Sequence, residues 1–141
     1  MTFSILTEHD VDAKMELQVQ GLFKQLNASL SPLSLQLVLQ QASPITAIGC
    51  TVGDTLAGMG LMAEYSTVSG HKGWIEDVVV DQEYRGKGIG RKLMEELIAV
   101  GKQKGLTDIL LFTGYHREAA NALYQNLGFQ KKESQIYILR L

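Results

Sequence analysis

The sequence contains little cysteine and no long hydrophobic run. Its single cysteine, Cys50, cannot form an internal disulfide or a multi-cysteine metal site. Because Cys50 lies in an apolar, strand-like run, we expect a small buried side chain and not a reactive thiol. No segment approaches the roughly 18 apolar residues of a membrane-spanning helix. The N-terminus MTFSILTEHD carries acids where a signal peptide would carry cations, so we expect a cytoplasmic protein.

An excess of positive charge is also absent. Thirteen lysines and arginines against 15 aspartates and glutamates give a formal net charge of −2. Such a chain has no overall positive field to attract nucleic acid, so no nucleic-acid partner is expected. No spacing of histidine, aspartate and glutamate suggests a metal site. Any site for an anion must therefore depend on a local group of cations.

The 141 residues, 45% of them hydrophobic, suffice for one domain with a core but hardly for two. We therefore expect a single domain over residues 1–141. Hydrophobic periodicity and turn residues predict the order β α α β β β α β α β, which is typical of an α/β or α+β fold with a mixed sheet. The predicted strands are 3–6, 45–52, 56–65, 74–80, 109–112 and 135–139. The predicted helices lie within 10–28, from Ser31-Pro32 to Gln41, from Ile89 to about Gly105 and over 117–127, and a turn is expected at Gly70–Gly73.

The stretch RGKGIG, residues 85–90, places three glycines and two cations between a strand pattern and an amphipathic helix. Glycines leave the backbone bare, and the N–H groups and dipole at a helix N-terminus attract an anion. A P-loop would need Lys and then Ser or Thr after the last glycine, but Arg91 and Lys92 follow Gly90. A dinucleotide-binding fingerprint starting at Gly86 would need Gly or Ala at position 91. The stretch therefore predicts a pyrophosphate site of another kind.

Arg85-x-x-Gly88-x-Gly90, between a strand and a helix, resembles the acetyl-CoA pyrophosphate motif of the GNAT superfamily of N-acetyltransferases. NALYQNLGF, residues 121–129, is similar to the second signature of that family. The resemblance covers residues 74–129 and implies a mixed, mostly antiparallel, six- to seven-stranded sheet with helices on both faces. It also implies that strands 4 and 5 splay apart and that the pantetheine arm of acetyl-CoA lies in the gap, along Val78–Val80.

Acetyl transfer from a thioester to an amine needs a base, because an alkylammonium has a pKa of about 10.4. Glu76 and Asp77 are adjacent in the predicted central strand, so we expect their side chains on opposite faces, with only one facing the acceptor. The sequence 75–80, IEDVVV, resembles that of polyamine and hexosamine-phosphate acetyltransferases, which implies that Glu76 is the base. A backbone N–H near Val78 is expected to stabilise the oxyanion.

Asn121 and Tyr124 are three residues apart and share one face of the predicted helix 117–127. The resemblance implies that the Tyr124 hydroxyl protonates the leaving thiolate and that Asn121 binds the pantetheine arm. Catalytic roles are thus expected for Glu76 and Tyr124. Contacts with acetyl-CoA are expected at Val78, Val79, Val80, Arg85, Gly86, Lys87, Gly88, Ile89, Gly90, Arg91 and Asn121.

Together these features predict an acetyl-CoA-dependent N-acetyltransferase. Direct attack in a ternary complex is favoured because Cys50 lies outside both motifs. A small-molecule amine, such as an amino sugar, a polyamine or an amino acid derivative, is the favoured acceptor because the chain is compact. Acetylation of a protein N-terminus or lysine stays open, as does a non-catalytic acyl-CoA-binding module. Homodimer formation through sheet edges or the last strand is compatible with this fold, although the sequence does not indicate it.

Overall fold

A computed structural model describes residues 1–29, 31–40 and 44–141. The described chain forms two compact units, Met1–Leu111 and Phe112–Leu141. The first unit contains a five-stranded sheet in the order β1-β2-β3-β4-β5. Its strands are β1 (Thr2–Leu6), β2 (Ile45–Val52), β3 (Thr55–Thr67), β4 (Gly70–Val80) and β5 (Asp108–Leu110). Strands β1 to β4 pair antiparallel and β4 pairs parallel with β5, so the sheet is mixed and mostly antiparallel, as predicted.

Helices accompany both units. They are α1 (Ala13–Leu26), α2 (Leu35–Gln40), the 3-10 turn Gln82–Tyr84, α3 (Ile89–Gln103) and, in the second unit, α4 (Glu118–Asn126). None of the described helices is long and apolar enough to cross a membrane. The single domain over residues 1–141 stays a prediction.

Helix α1 packs on one face of the sheet. Asp12 caps its N-terminus, since Asp12 Oδ1 accepts a hydrogen bond of 2.8 Å from the Met15 N–H. One hydrophobic cluster joins the buried residues of α1 to α2 and to the strands: Val19, Leu22, Phe23, Leu35, Met59, Leu61 and Val79 are among its members. The face of the sheet that carries Met59, Leu61 and Val79 is called the α1 face below.

Helix α3 packs on the opposite face, which carries Gly58 and Gly60 because side chains alternate along β3. A Cβ on Gly58 would stand 3.2 Å from Ile89 Cγ2, and a Cβ on Gly60 would stand 3.2 Å from Leu97 Cδ1. Ile89 and Leu97 are both fully buried. Larger residues at the two glycines would overpack this contact, so the glycines set how closely α3 approaches β3.

An ion pair between the partly exposed Lys104 and the buried Glu64 ties the C-terminal end of α3 to the sheet. Lys104 Nζ donates to Glu64 Oε1 at 2.5 Å and to Thr46 Oγ1 at 3.2 Å. Thr46 Oγ1 in turn donates to Glu64 Oε1 at 3.1 Å. Because Glu64 is buried, loss of Lys104 would leave an uncompensated charge in the protein interior. The far end of α3 is therefore fixed independently of its N-terminus.

The turn predicted at Gly70–Gly73 is wrong, because these residues begin β4. Thr67 pairs with Gly70, so the chain reverses between them. A Cβ on Gly73 would stand 2.8 Å from both Leu106 Cδ1 and Met62 Sδ. Gly73 thus serves close packing inside a strand, and in a sequence this use of glycine looks the same as a turn.

The helix start predicted at Ser31-Pro32 is also wrong, since α2 begins at Leu35. Ser34 precedes the helix, and its hydroxyl donates to Glu16 Oε1 of α1 at 2.7 Å. A contact between distant parts of the sequence therefore accompanies the observed start. The helix end predicted at Gln41 lies outside the described residues.

The strand predicted over residues 135–139 is not observed, because residues 130–141 contain no helix or strand. Ile136, Tyr137 and Leu139 are largely exposed there. An alternating apolar pattern favours a strand, but a strand also needs a hydrogen-bonded neighbour. All strand pairs that the structure describes lie among β1 to β5, so the described sheet has five strands and not six or seven.

Candidate active site

The stretch RGKGIG connects the 3-10 turn to α3 and leaves part of its backbone open. Gly86 and Gly88 have φ angles of +74° and +79°, in the left-handed region that favours glycine. No atom of the described chain lies within 4 Å of the point where a Cβ would stand at either residue. A Cβ on Gly90 would make only an ordinary contact of 3.6 Å with Val80. Gly86 and Gly88 therefore border open space, whereas the local backbone does not require glycine at position 90.

The first turn of α3 presents backbone donors beside this space. Gly88 is the N-cap, and its carbonyl accepts from the Lys92 N–H at 3.1 Å. The N–H groups of Ile89, Gly90 and Arg91 consequently have no acceptor within the helix. No side chain of the described residues caps α3 at Gly88, and the first turn contains no acid. The N–H groups and the helix dipole together favour an anion at this position.

Three cations flank the turn and make different contacts. Arg85 Nε donates at 3.1 Å to the last carbonyl of β4, which holds the strand end against the turn. Lys87 Nζ lies 4.8 Å from the centroid of the Tyr84 ring, within the range of a cation–π contact. Arg91 Nε lies 2.9 Å from Glu95 Oε1. The charge of Arg91 is therefore partly balanced by a carboxylate, whereas Lys87 is held by a neutral ring.

Helix α1 supports the residues that precede RGKGIG, and sequence reasoning missed this contact. Gln25 Oε1 accepts from the Gln82 N–H at 2.8 Å, and Gln25 Nε2 donates to Asp81 Oδ2 at 3.3 Å. Asp81 Oδ1 also accepts from the Glu83 N–H at 2.8 Å. An aspartate that opens a turn is a signal that the sequence could have given. Nothing in the sequence marks Gln25, because it lies far along the chain from its partners.

Strand β4 contains a β-bulge opposite Gly60. Met59 pairs with Val79, but Leu61 pairs with Glu76, so one residue of β3 opposes two residues of β4. Cross-strand partners lie on the same face of a sheet. Glu76 and Val79 therefore both lie on the α1 face, although they are three residues apart.

The two residues of β4 in the bulge are Asp77 and Val78. Asp77 has a φ of +55°, and it is the only non-glycine residue with positive φ in the described part of the chain. The extra residue resets the pattern of faces between Glu76 and Val79. The expectation that Glu76 and Asp77 lie on opposite faces stays a prediction. No pattern in the sequence indicates the bulge, because a bulge arises from pairing with another strand.

Both carboxyl groups beside the bulge have a raised pKa. Burial by the surrounding protein is the largest cause for Glu76, the negative charge of Asp77 adds to it, and a hydrogen bond from Trp74 partly opposes both. Burial also raises the pKa of Asp77. Both residues nevertheless keep exposed surface, so a ligand can reach them. A raised pKa brings a carboxylate closer to the value that suits a general base near neutral pH.

The parallel pairing between β4 and β5 is short. It joins Lys72–Trp74 to Asp108–Leu110, and β5 ends before the predicted position 112. Within the described residues, β4 continues to Val80 without a strand partner on this side. The short pairing is the one expected where strands 4 and 5 splay apart, and an edge without a strand partner has backbone groups with which an extended ligand can pair.

Asn121 and Tyr124 belong to α4, in the second unit. Asn121 Nδ2 donates to the carbonyls of Gly114 at 3.2 Å and Arg117 at 2.9 Å, so its Oδ1 is the atom left to accept a further bond. The half-buried Tyr124 ring meets the Phe129 ring edge-on, with centroids 6.1 Å apart. Burial raises the pKa of Tyr124, and the charge of Arg117 partly opposes this. The Tyr124 hydroxyl therefore stays protonated at neutral pH.

Helix α4 stops before Gly128, as predicted. Gly128 has a φ of +92°, and its N–H donates to the Gln125 carbonyl at 3.0 Å. The Phe129 N–H donates to the Tyr124 carbonyl at 3.0 Å. These two bonds form a Schellman motif, which fixes the position of Phe129 relative to Tyr124.

The predicted site residues of the first unit follow one another along β4, the turn and the start of α3. Val79 and Ile89 have buried side chains, so only their backbone can contact a ligand. Val78 and Val80 are half-buried. Within the described residues, no group of three or more His, Cys, Asp and Glu could hold a metal ion. The roles of the individual residues stay predictions.

Comparison with known proteins bears on the class of protein. Residues 13–129 match the acetyltransferase (GNAT) family. The chain is 32% identical to a glucosamine 6-phosphate N-acetyltransferase of Trypanosoma brucei brucei over 101 residues, which are 69% of this chain and 67% of that protein. It is 36% identical to a thialysine N-epsilon-acetyltransferase of Bos taurus over 90 residues, 63% of this chain and 53% of that protein. The chain thus spans about half the length of the bovine relative.

Two solved structures share the fold. An acetyltransferase from Agrobacterium tumefaciens, described as putative, superposes with a TM-score of 0.83 at 21% identity, over 99% of this chain and 100% of that one. An aminoglycoside acetyltransferase from an uncultured soil metagenomic sample, in complex with sisomicin, gives a TM-score of 0.82 at 18% identity, over 99% and 95% of the chains.

The chain therefore belongs to the acetyltransferase (GNAT) family, a family of acyltransferases. The resemblance noted in the sequence is confirmed, and so is the mixed, mostly antiparallel fold with helices on both faces of the sheet.

Proposed function

We propose that this protein transfers the acetyl group of acetyl-CoA to a primary amine of a small molecule, by direct attack within a ternary complex. The observation that carries the proposal is the uncapped N-terminus of α3, beside left-handed glycines that border open space. One 3-10 turn separates this anion site from β4, the strand that carries a carboxylate of raised pKa. Binding of the anionic cosubstrate and base catalysis are two of the requirements for acetyl transfer.

The chain offers suitable groups for CoA. The N–H groups of Ile89, Gly90 and Arg91 suit a pyrophosphate, and Lys87 adds charge beside them. The open edge of Val78–Val80 suits the amides of a pantetheine arm, as a strand would. The Asn121 Oδ1 is proposed to accept from the same arm. These assignments cover the pyrophosphate and the pantetheine arm of the cosubstrate.

In the proposed reaction Glu76 removes a proton from the amine, directly or through water, while the nitrogen attacks the thioester carbonyl carbon. A backbone N–H near Val78 stabilises the oxyanion. The bond between carbon and sulfur then breaks, and Tyr124 donates its proton to the leaving thiolate. Glu76 loses its proton to solvent, and Tyr124 regains one, so the net products are the N-acetylated amine and CoA.

A small-molecule amine is the favoured acceptor, because Glu76 keeps a carboxyl with exposed surface on β4, where an ammonium ion can approach it. The printed names of relatives support this choice, since they include glucosamine 6-phosphate, thialysine and aminoglycoside acetyltransferases. Acetylation of a protein N-terminus or lysine, and acyl-CoA binding without turnover, are outcomes that the experiment distinguishes.

The test is CoA thiol release from acetyl-CoA with an amine panel of amino sugars and their phosphates, diamines, lysine analogues, aminoglycosides and peptides. The panel is paired with calorimetric measurement of CoA binding. We expect thiol release that depends on at least one small amine. Turnover only with peptides would favour the protein substrate. Tight CoA binding without turnover on any amine would favour the non-catalytic module, and absence of CoA binding would contradict the proposal as a whole.

A further inference from the structure

The bulge in β4 decides on which face of the sheet Glu76 lies. Val79 pairs with Met59, and Glu76 pairs with Leu61, so both lie on the α1 face. Without the extra residue, the register that pairs Val79 with Met59 would continue along β4, and Glu76 would pair with Met62. Met62 is fully buried, and its neighbours Gly58 and Gly60 face α3. An uninterrupted strand would therefore direct the Glu76 carboxyl into the interior under α3.

The backbone of Asp77 makes the bulge. Its φ of +55° lies in the left-handed region, which most side chains avoid because Cβ approaches the following carbonyl oxygen. Glycine enters this region freely, and asparagine and aspartate enter it more readily than other residues do. Residue 77 thus has to tolerate a backbone conformation, and this requirement is separate from any need for a charge.

We propose that Asp77 is a positioning residue: its left-handed backbone forms the bulge that sets Glu76 on the α1 face, and turnover does not require its carboxylate. The inference rests on the proposed function, in which Glu76 is the base. The inference gives the two adjacent residues different roles. Glu76 has the reactive carboxylate, and Asp77 has the backbone conformation that orients Glu76.

A need for left-handed backbone and a need for a negative charge predict different results for substitutions at residue 77. Asp77→Asn removes the charge and keeps tolerance of the left-handed region. Asp77→Gly removes the side chain, and glycine also adopts the left-handed conformation. Asp77→Ala differs from Asp77→Gly by one methyl group, and alanine disfavours that conformation. The pair of glycine and alanine variants therefore isolates the backbone, and the asparagine variant isolates the charge.

We expect kcat of Asp77→Asn and Asp77→Gly to stay within about threefold of the parent and kcat of Asp77→Ala to fall by at least about tenfold, a barrier change of about 1.4 kcal/mol. The Kd for CoA should be unchanged in Asp77→Asn and Asp77→Gly, because both keep the bulge and with it the backbone of Val78–Val80, and because the anion site at α3 is a separate element. In Asp77→Asn, the acid limb of the pH profile of kcat/KM should also move to lower pH. The reason is that the negative charge of Asp77 no longer raises the pKa of Glu76.

A loss of more than about tenfold in either Asp77→Asn or Asp77→Gly would overturn the inference, because the carboxylate would then be required. Full activity in Asp77→Ala would overturn it as well. If Asp77→Ala does not fold, the kcat values of Asp77→Asn and Asp77→Gly test the inference, with the same limit of about tenfold. If the parent itself releases no thiol with any amine, the proposed function fails, and crystal structures then test the bulge. The inference expects Asp77→Gly to keep the pairing of Leu61 with Glu76 and Asp77→Ala to lose it, and the same pairing in both would overturn it.

Discussion

Glu76 combines two opposing properties, its proposed role as base and a cost to stability at neutral pH. Its pKa is raised chiefly by burial, so the folded protein holds the Glu76 proton more tightly than the unfolded chain does. By linkage, its stabilising contribution is present below the unfolded pKa and is lost as the pH rises through the folded pKa. At neutral pH the charged Glu76 therefore destabilises the fold, as residues at functional sites often do.

Glu76→Gln is accordingly expected to lower turnover by about 10²-fold or more and to raise the thermal midpoint at neutral pH. The gain in midpoint should vanish below about pH 4, where glutamate is protonated in both states. Thermal unfolding across pH, together with thiol release, measures both effects. The exposed Glu133→Gln is the control and should change neither. A midpoint that falls at neutral pH in Glu76→Gln would contradict the assigned direction of the pKa shift.

Tyr124→Phe tests the proposed proton donor, since it removes one hydroxyl and keeps the ring that meets Phe129. We expect kcat to fall by about 10²-fold with the Kd for CoA nearly unchanged. Tyr137→Phe is a matched control, because the exposed Tyr137 hydroxyl donates only to the neighbouring Gln135 at 2.7 Å in the described chain. Unchanged turnover in Tyr124→Phe would contradict the proposed role of Tyr124 as proton donor.

At the scale of elements, the sequence predicted what local signals specify. Helix α3 was expected from Ile89 and is observed from Ile89, because glycines precede it and an apolar period of helical spacing follows. The hairpin of β2 and β3 was expected around Gly53-Asp54 and is observed there, because a turn signal lies between two strand patterns. The misread elements depend on partners elsewhere in the chain: Gly73 on Leu106 and Met62, and the segment 135–139 on a neighbouring strand.

The candidate site divides in the same way. The anion-binding turn could be predicted from the sequence, because its glycines, its cations and the start of α3 follow one another along the chain. The bulge at Asp77 could not, since a bulge is a mismatch between the lengths of two paired strands. Gln25 could not either, because its two hydrogen bonds reach a turn more than 50 residues away.

Gly88 and Gly105 offer a matched test of the anion turn at the two ends of α3. Both have left-handed backbone, with φ of +79° and +69°, and a Cβ at either would have no neighbour within 4 Å in the described chain. Alanine at either position should therefore cost about 1–2 kcal/mol of unfolding free energy. Only Gly88→Ala should also weaken CoA binding, by about tenfold or more, because its Cβ enters the space beside the donors of the first turn.

Calorimetry with CoA and thermal unfolding separate these effects. Equal CoA affinity in Gly88→Ala and Gly105→Ala would contradict the placement of the pyrophosphate. Gly88→Glu adds like charge to the same position and should weaken binding further. A result in which Gly105→Ala binds CoA less tightly would point to a general loss of folded structure.

For the molecule as a whole, the net charge and the charge of the site have opposite signs. The chain carries −2 overall, which repels a polyanion such as CoA at long range, while the cations of RGKGIG attract it at short range. In the first turn of α3, Arg91 and Lys92 each pair with a glutamate one turn on, at 2.9 Å and 3.0 Å. Lys87 sits instead over the Tyr84 ring, and Arg85 donates to a backbone carbonyl, so we expect these two residues to supply most of the unbalanced positive charge.

CoA affinity should therefore fall as salt is raised from about 0.05 to 0.5 M, because the Debye length shrinks from more than about 10 Å to less than about 5 Å. Lys87→Ala should weaken binding and flatten this salt dependence, whereas Lys14→Ala, at the start of α1, should do neither. Pantetheine, which lacks the phosphates, should bind with little dependence on salt. An affinity for CoA that rises with salt would mean that the overall negative charge outweighs the local cations, and the anion site would then depend on the backbone N–H groups and the helix dipole alone.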